Sequence, residues 1–81
     1  ASGIKALAED MGSSPQQLVI YAAAAYMYNK GPNSSAIVDG SFYTDIAGLR
    51  YTKGSGVIAN ADSMPGYAGK VLQYMLNQVK K

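Results

Sequence analysis

Residues 18–28 read Leu-Val-Ile-Tyr-Ala-Ala-Ala-Ala-Tyr-Met-Tyr, eleven positions without one charged side chain. Four consecutive alanines favour helix over strand. Upstream, Ser14 can cap a helix and Pro15 suits its first position. The segment therefore reads as a helix over about 15–29, stopped at Asn29-Lys30-Gly31-Pro32. A helix apolar nearly all round needs cover on every face, from its own fold or from a partner chain. A chain of 81 residues has one core and little mass to spare for wrapping such a helix. Self-association, or burial against another protein chain, is the first functional expectation. Eleven apolar residues also fall short of the ~20 that cross a bilayer, so no membrane span is read.

The flanking segments have their own periods. Ile4, Leu7, Ala8 and Met11 recur at helical spacing, with Lys5, Glu9 and Asp10 opposite. This predicts a helix over about 3–11, stopped by Gly12. Within residues 36–60 the period changes. Ala36-Ile37-Val38 is a β-favouring run, and Phe42, Thr44 and Ile46 alternate with Tyr43, Asp45 and Ala47. Leu49 and Tyr51 alternate with Arg50 and Thr52, and Val57-Ile58-Ala59 is another apolar run. Breaks fall at Asp39-Gly40, Gly48 and Lys53-Gly54-Ser55-Gly56, the first a hairpin signal. A last helix over about 64–80 opens at Asp62-Ser63-Met64-Pro65, with Ser63 as its cap. Ala68, Val71, Leu72, Met75, Leu76 and Val79 form its apolar stripe. Lys70, Gln73, Asn77, Lys80 and Lys81 are placed towards solvent, the terminal lysines suiting the helix dipole. The expected fold is one α+β domain over residues 1–81. In it a helical hairpin and a C-terminal amphipathic helix pack on a small antiparallel β-meander.

Composition narrows the chemistry. There is no Cys and no His, which removes disulfides, thiol nucleophiles, the commonest general base and the commonest transition-metal ligand. The carboxylates Glu9, Asp10, Asp39, Asp45 and Asp62 are scattered over separate segments. No catalytic residue, cofactor or metal is expected, and the chain reads as a non-enzyme. Gly66-Tyr67-Ala68-Gly69-Lys70 lacks the phosphate-loop spacing and has Val71 where Ser or Thr is needed. Lys53-Gly54-Ser55-Gly56 reads as a plain turn, and Asp39, Ser41 and Asp45 do not form a calcium-loop pattern. Charged residues are 15% of the chain, with a net charge of +2, so no dense basic face is available. Seven tyrosines with no Trp favour contact surfaces as well as core. The candidate interface is Val19, Ile20, Ala23 and Tyr26 on the long helix, with Tyr43 on an exposed sheet face.

A second reading comes from residues 4–18, Ile-Lys-Ala-Leu-Ala-Glu-Asp-Met-Gly-Ser-Ser-Pro-Gln-Gln-Leu. This stretch resembles a helix-turn-helix DNA-binding segment. Ala8, Gly12 and Leu18 match its small, turn and apolar positions, and Leu7, Met11 and Tyr21 its other core positions. The resemblance implies a recognition helix with Ser14, Gln16 and Gln17 nearest the bases, since Gln can bond adenine in the major groove. Arg50 and Lys53 would then form a basic hairpin wing on the DNA backbone. Gly12, Ser14, Leu18, Ala22 and Tyr26 are also similar to the two helices of ribbon-helix-helix repressors, whose DNA-reading strand has no counterpart in Ala1-Ser2-Gly3. A sheet followed by Met64-Pro65-Gly66 and an amphipathic helix is similar to the ending of profilin-like domains. A third reading, a secreted toxin or effector subunit, takes Lys80-Lys81 as the trace of dibasic processing. The outward positions after Gln17 are Val19, Ile20, Ala23 and Ala24 rather than basic residues, which puts protein contact ahead of DNA.

Overall fold

Two helix signals in the N-terminal third meet at Gly12. A computed structural model describes residues 3–79 and places α1 at Gly3–Met11. Ile4, Leu7 and Ala8 form its buried stripe. Gly12 is left-handed (φ 64°), and two crossed hydrogen bonds close the end. The Ser13 N–H donates to Ala8 O at 2.9 Å and the Gly12 N–H to Glu9 O at 3.2 Å. This double closure is a Schellman motif, which uses up carbonyls that the helix end leaves free. The chain then turns directly into α2, Pro15–Lys30. Ser14 Oγ accepts from the Gln17 N–H at 3.2 Å, and Pro15 occupies the first turn, where its missing N–H costs nothing. At the far end Gly31 (φ 95°) donates to Met27 O at 2.8 Å.

The β-meander expected over 36–60 is absent, and the α+β assignment is corrected to a small helical domain. Helix accounts for 70% of the described residues and strand for 3%. Residues expected as strands form α3, Ser35–Val38, and α4, Ser41–Ala47. Asp39-Gly40 is not a hairpin turn but the joint between them. Asp39 Oδ1 accepts from the Ser41 N–H at 2.8 Å, and Gly40 is left-handed (φ 81°), so α4 starts at once. The alternation at 42, 44 and 46 was misleading because Phe42 and Ile46 are also one helical turn apart. Both are buried, whereas Thr44, which a strand would have buried with them, is exposed.

Residues 48–60 form an ordered loop with a single antiparallel bridge, Tyr51 to Ile58. Leu49, Tyr51 and Ile58 are buried, so the loop backbone needs partners that a sheet would have supplied. Two side-chain amides provide them. Asn60 Oδ1 accepts from the Arg50 N–H at 2.9 Å, and its Nδ2 donates to Gly48 O at 3.0 Å. Gln73 Oε1 accepts from the Ile58 N–H at 2.7 Å, and its Nε2 donates to Gly56 O at 3.0 Å. Gln73 therefore faces this loop rather than open solvent.

The last helix also begins later than expected. Short 3₁₀ turns occupy Ala61–Ser63 and Pro65–Tyr67, and α5 runs Ala68–Val79. Ser63 is not its cap, because its hydroxyl donates backwards to Asn60 O at 3.1 Å. The expected end at 80 and the roles of Lys80 and Lys81 lie outside the described residues. Leu7, Leu18, Phe42, Leu72 and Leu76 are the largest fully buried side chains and form the centre of the core. Helix α2 is the hub, touching α1, α4, α5 and the Pro65–Tyr67 turn. Gly66 and Gly69, in the segment tested above for phosphate binding, permit close packing instead. A Cβ on Gly66 would sit 2.6 Å from Tyr26 Cδ2, and one on Gly69 would sit 2.5 Å from Ala61 O.

Candidate interaction surface

Helix α2 contributes one stripe to the core, Leu18, Ala22 and Tyr26, at successive i, i+4 positions. Tyr26 was expected at an interface, but it is buried in the chain itself. Its ring lies 5.1 Å from that of Phe42 and its backbone is covered by Gly66. Ala23 is half-buried against the same core. With one stripe covered, the remaining apolar circumference of α2 is left to solvent on two sides.

On one side lies a groove of about 380 Å³ between α2 and α4. Pro15, Gln16, Val19 and Ile20 line it from α2, and Tyr43 lines it from α4. Three expected interface residues, Val19, Ile20 and Tyr43, are thus brought together. Ile20 is 58% and Tyr43 63% exposed. The Tyr43 ring packs edge-on to Phe42, with centroids 6.2 Å apart, which anchors it to the core while leaving it open. Tyr43 belongs to a helix rather than a sheet, but it is exposed in either setting.

On the other side lies a second groove, of about 370 Å³, between α2 and α5. Tyr21, Ala24, Ala25 and Tyr28 form one wall, two helical turns long. Val71 and Met75 of α5 form the other wall, and Tyr67 closes one end. Tyr28 is 96% exposed and Tyr67 56% exposed. Tyr67 also has φ 64°, a left-handed backbone that a bulky aromatic residue rarely adopts. Strain of this kind persists only where surrounding packing enforces it, and it gathers at functional positions. The Lys70 ammonium sits 5.4 Å above the Tyr67 ring centre, covering one face of the ring with charge. Tyr21, Tyr28 and Tyr67 did not stand out as interface residues in the sequence. The signal was available in the i, i+3, i+4, i+7 spacing of Tyr21, Ala24, Ala25 and Tyr28.

The residues of the DNA-binding reading are spread over other surroundings. Ser14 is spent on capping α2, Gln16 lines the apolar α2–α4 groove, and Gln17 is half-buried. Lys53 pairs with Glu9 of α1 at 3.4 Å, both groups exposed. The Arg50 side chain is exposed while its backbone N–H is held by Asn60.

Acidic groups are largely engaged in holding the fold. Asp10 Oδ2 accepts from the Tyr51 hydroxyl and from the Gly54 N–H, the latter at 2.6 Å. The Gly56 N–H in turn donates to the Tyr51 oxygen at 3.3 Å. Burial, and then the neighbouring Asp10 carboxylate, raise the Tyr51 phenol above its usual pKa of 10.0. Asp39 is held below the ordinary carboxylate value by the Ser41 N–H. Among the described residues no cluster of three potential acidic metal ligands occurs, and no helix is long and apolar enough to cross a membrane. No family model, curated protein or solved structure matches the chain.

Proposed function

We propose that this chain is a non-catalytic protein-interaction or assembly module, with α2 as its contact element. The supporting observation is that the hub helix of the fold keeps apolar grooves open on two of its sides. Isolated exposed apolar residues are ordinary in soluble proteins, but contiguous grooves with aromatic walls mark contact sites. Tyrosine suits such a surface because it carries a large apolar ring with little rotamer entropy to lose. The non-catalytic part of the reading is supported by Asp10, Glu9 and Asp39, whose carboxylates serve Tyr51, Lys53 and Ser41. Protein contact is preferred over DNA because Gln16 lines an apolar groove and Lys53 is partnered by an acid, which weakens any phosphate contact.

The test uses the full chain and a variant carrying Ile20→Asp and Tyr28→Asp together. Both positions are exposed, so the fold should survive, as far-UV circular dichroism would verify. The wild-type chain should self-associate, or retain a defined polypeptide from an extract of its native source, and the variant should do neither. A wild-type chain that stays monomeric at every concentration and captures nothing that the variant loses would end this reading.

A further inference from the structure

The joint between α3 and α4 brings together the parts of a covalent rearrangement. Asp39 is exposed, and its carboxyl folds back across Gly40, where Oδ1 accepts from the Ser41 N–H at 2.8 Å. Among the described residues no hydrogen bond uses the Gly40 N–H, so that nitrogen has no contact to give up. A Cβ added at Gly40 would meet nothing within 4 Å, so the joint stands in open space. A backbone nitrogen can close a five-membered ring on the carboxyl of a preceding aspartate. Glycine hinders that attack least, because it has no side chain. We infer that Asp39-Gly40 is a site of spontaneous covalent modification, at which Asp39 converts to isoaspartate.

Ring closure starts from the neutral acid. The Gly40 nitrogen bonds to Cγ of Asp39 and gives up its proton, and the carboxyl hydroxyl leaves with that proton as water. The product is a cyclic imide. Water then adds to one of its two carbonyl carbons. Breaking the bond from nitrogen to Cγ restores aspartate. Breaking the bond from nitrogen to the main-chain carbonyl carbon leaves the chain running through Cβ and Cγ, with the α-carboxylate as a side group. Nothing is oxidised or reduced, water is the only co-reactant, and the mass returns to its starting value.

The folded chain restrains this reaction only locally. With ψ −5° at Asp39, the Gly40 nitrogen eclipses the Asp39 nitrogen rather than Cβ, so the peptide must rotate before the ring closes. The Ser41 N–H also favours the ionised carboxyl, whereas closure consumes the neutral one. But α3 is four residues long, with no buried side chain and no side-chain cap, so the joint can open while the core stays packed. The other aspartates are placed less favourably. Asp10 and Asp45 precede the bulkier Met11 and Ile46 inside helices, and the Ser63 N–H after Asp62 is held by Asn60 O at 3.2 Å. Conversion lengthens the main chain at the joint and takes the acceptor away from Ser41. It also displaces Gly40 O, which accepts from the Tyr43 N–H at 3.1 Å. The first turn of α4 frays, and with it the Tyr43 wall of the α2–α4 groove.

The test holds the full chain at neutral pH for weeks, one sample folded and one in urea. Each is then treated with a protein isoaspartyl methyltransferase and methyl-labelled S-adenosylmethionine, which esterify the α-carboxylate of isoaspartate and not aspartate. Fragmentation mass spectrometry locates the label. The folded chain should take label at residue 39 first, at a rate within about tenfold of the unfolded chain, because a fold slows such a step only by the fraction of time the site is closed. Asp39→Glu, which would need a six-membered ring, should lose that label. Asp39→Asn keeps an acceptor for Ser41 and should release ammonia through the same ring, seen as a gain in mass at residue 39. In the purified isoaspartate form, amide exchange should speed up at Ser41 and Tyr43 and stay unchanged at Leu18 and Leu72. A folded chain left unlabelled at residue 39 would overturn the inference, whether or not the unfolded chain takes label. Label that survives Asp39→Glu, or that appears first at Asp10, Asp45 or Asp62, would overturn it as well.

Discussion

The hydroxyl of Tyr51 donates to Oδ2 of Asp10, a residue forty-one positions earlier in the chain. The same carboxylate oxygen takes the Gly54 N–H, so the tip of the 48–60 loop is tied to the end of α1. A hydrogen bond to an ionised acceptor contributes about 1.5–3 kcal/mol when buried. Tyr51→Phe keeps the ring in the core but removes this bond, and it leaves the Gly56 N–H without its acceptor. The expected loss is about 2 kcal/mol, which in a domain of this size lowers Tm by roughly 8–16 °C. Urea unfolding of the two proteins at one concentration measures it.

Alkaline pH should act on the same contact. The folded-state pKa of Tyr51 lies above its unfolded value of 10.0, first through burial and then through Asp10. A group raised on folding contributes stability that is fully present below its unfolded pKa and lost as pH rises through the folded one. Stability should therefore hold up to about pH 10 and then fall, as the ionised phenolate faces a carboxylate in a buried setting. Tyrosinate absorbance should show one of the seven tyrosines ionising late and together with unfolding. Tyr51→Phe should remove that late step; its persistence would show that another tyrosine carries it.

Gln73 stands in for a neighbouring strand. Its amide accepts from Ile58 and donates to Gly56, two groups a sheet would have paired. Gln73→Leu has similar bulk but leaves the Ile58 N–H, on a buried residue, with no acceptor. An unsatisfied buried donor costs about 1–3 kcal/mol. The loop should loosen before the helices do. Amide exchange at Ile58 should speed up by about 10-fold or more, on the basis of ~1.4 kcal/mol per tenfold, with Leu18 and Leu72 little changed.

The helices were readable because their signals are local. Ile4, Leu7 and Ala8 repeat at helical spacing, and Ser14, Pro15 and Gly12 are capping residues whose action needs only neighbouring backbone. The 36–60 region was misread because its evidence is degenerate. Phe42 and Ile46 satisfy both a strand and a helix, and the residue that decides between them, Asp39, acts through one side-chain bond to Ser41. The loop after it depends on Asn60 and Gln73, which no local pattern could assign to it. At the surface, Val19 and Ile20 stood out because α2 has more apolar circumference than a small fold can cover, and Tyr43 because it alternates opposite to the buried Phe42 and Ile46. Which stripe of α2 is core could not be read from a helix uniform on all sides. Tyr26 and Tyr28 look alike in sequence, and only tertiary contacts separate them: the Phe42 ring and the close approach of Gly66 cover the first.

That approach can be tested against a control within the same chain. Gly66 and Gly12 have nearly the same backbone, φ 61° and φ 64°, so an added methyl meets similar left-handed strain at both. Their surroundings differ. A Cβ at Gly12 has nothing within 4 Å, whereas at Gly66 it lies 2.6 Å from Tyr26 Cδ2 and 3.0 Å from Tyr26 Cα. The side-chain atom can rotate away, but the backbone atom cannot move without shifting α2. Gly12→Ala should therefore cost about 1–2 kcal/mol, the left-handed penalty alone. Gly66→Ala should cost about 1–3 kcal/mol more, as overpacking of a filled site. Displacing the Pro65–Tyr67 turn should also misplace Tyr67 at the end of the α2–α5 groove. Gly66→Ala should then weaken self-association in sedimentation runs below its melting temperature, while Gly12→Ala leaves it unchanged. Equal destabilisation by the two substitutions would mean that the turn is not pressed against Tyr26 in solution.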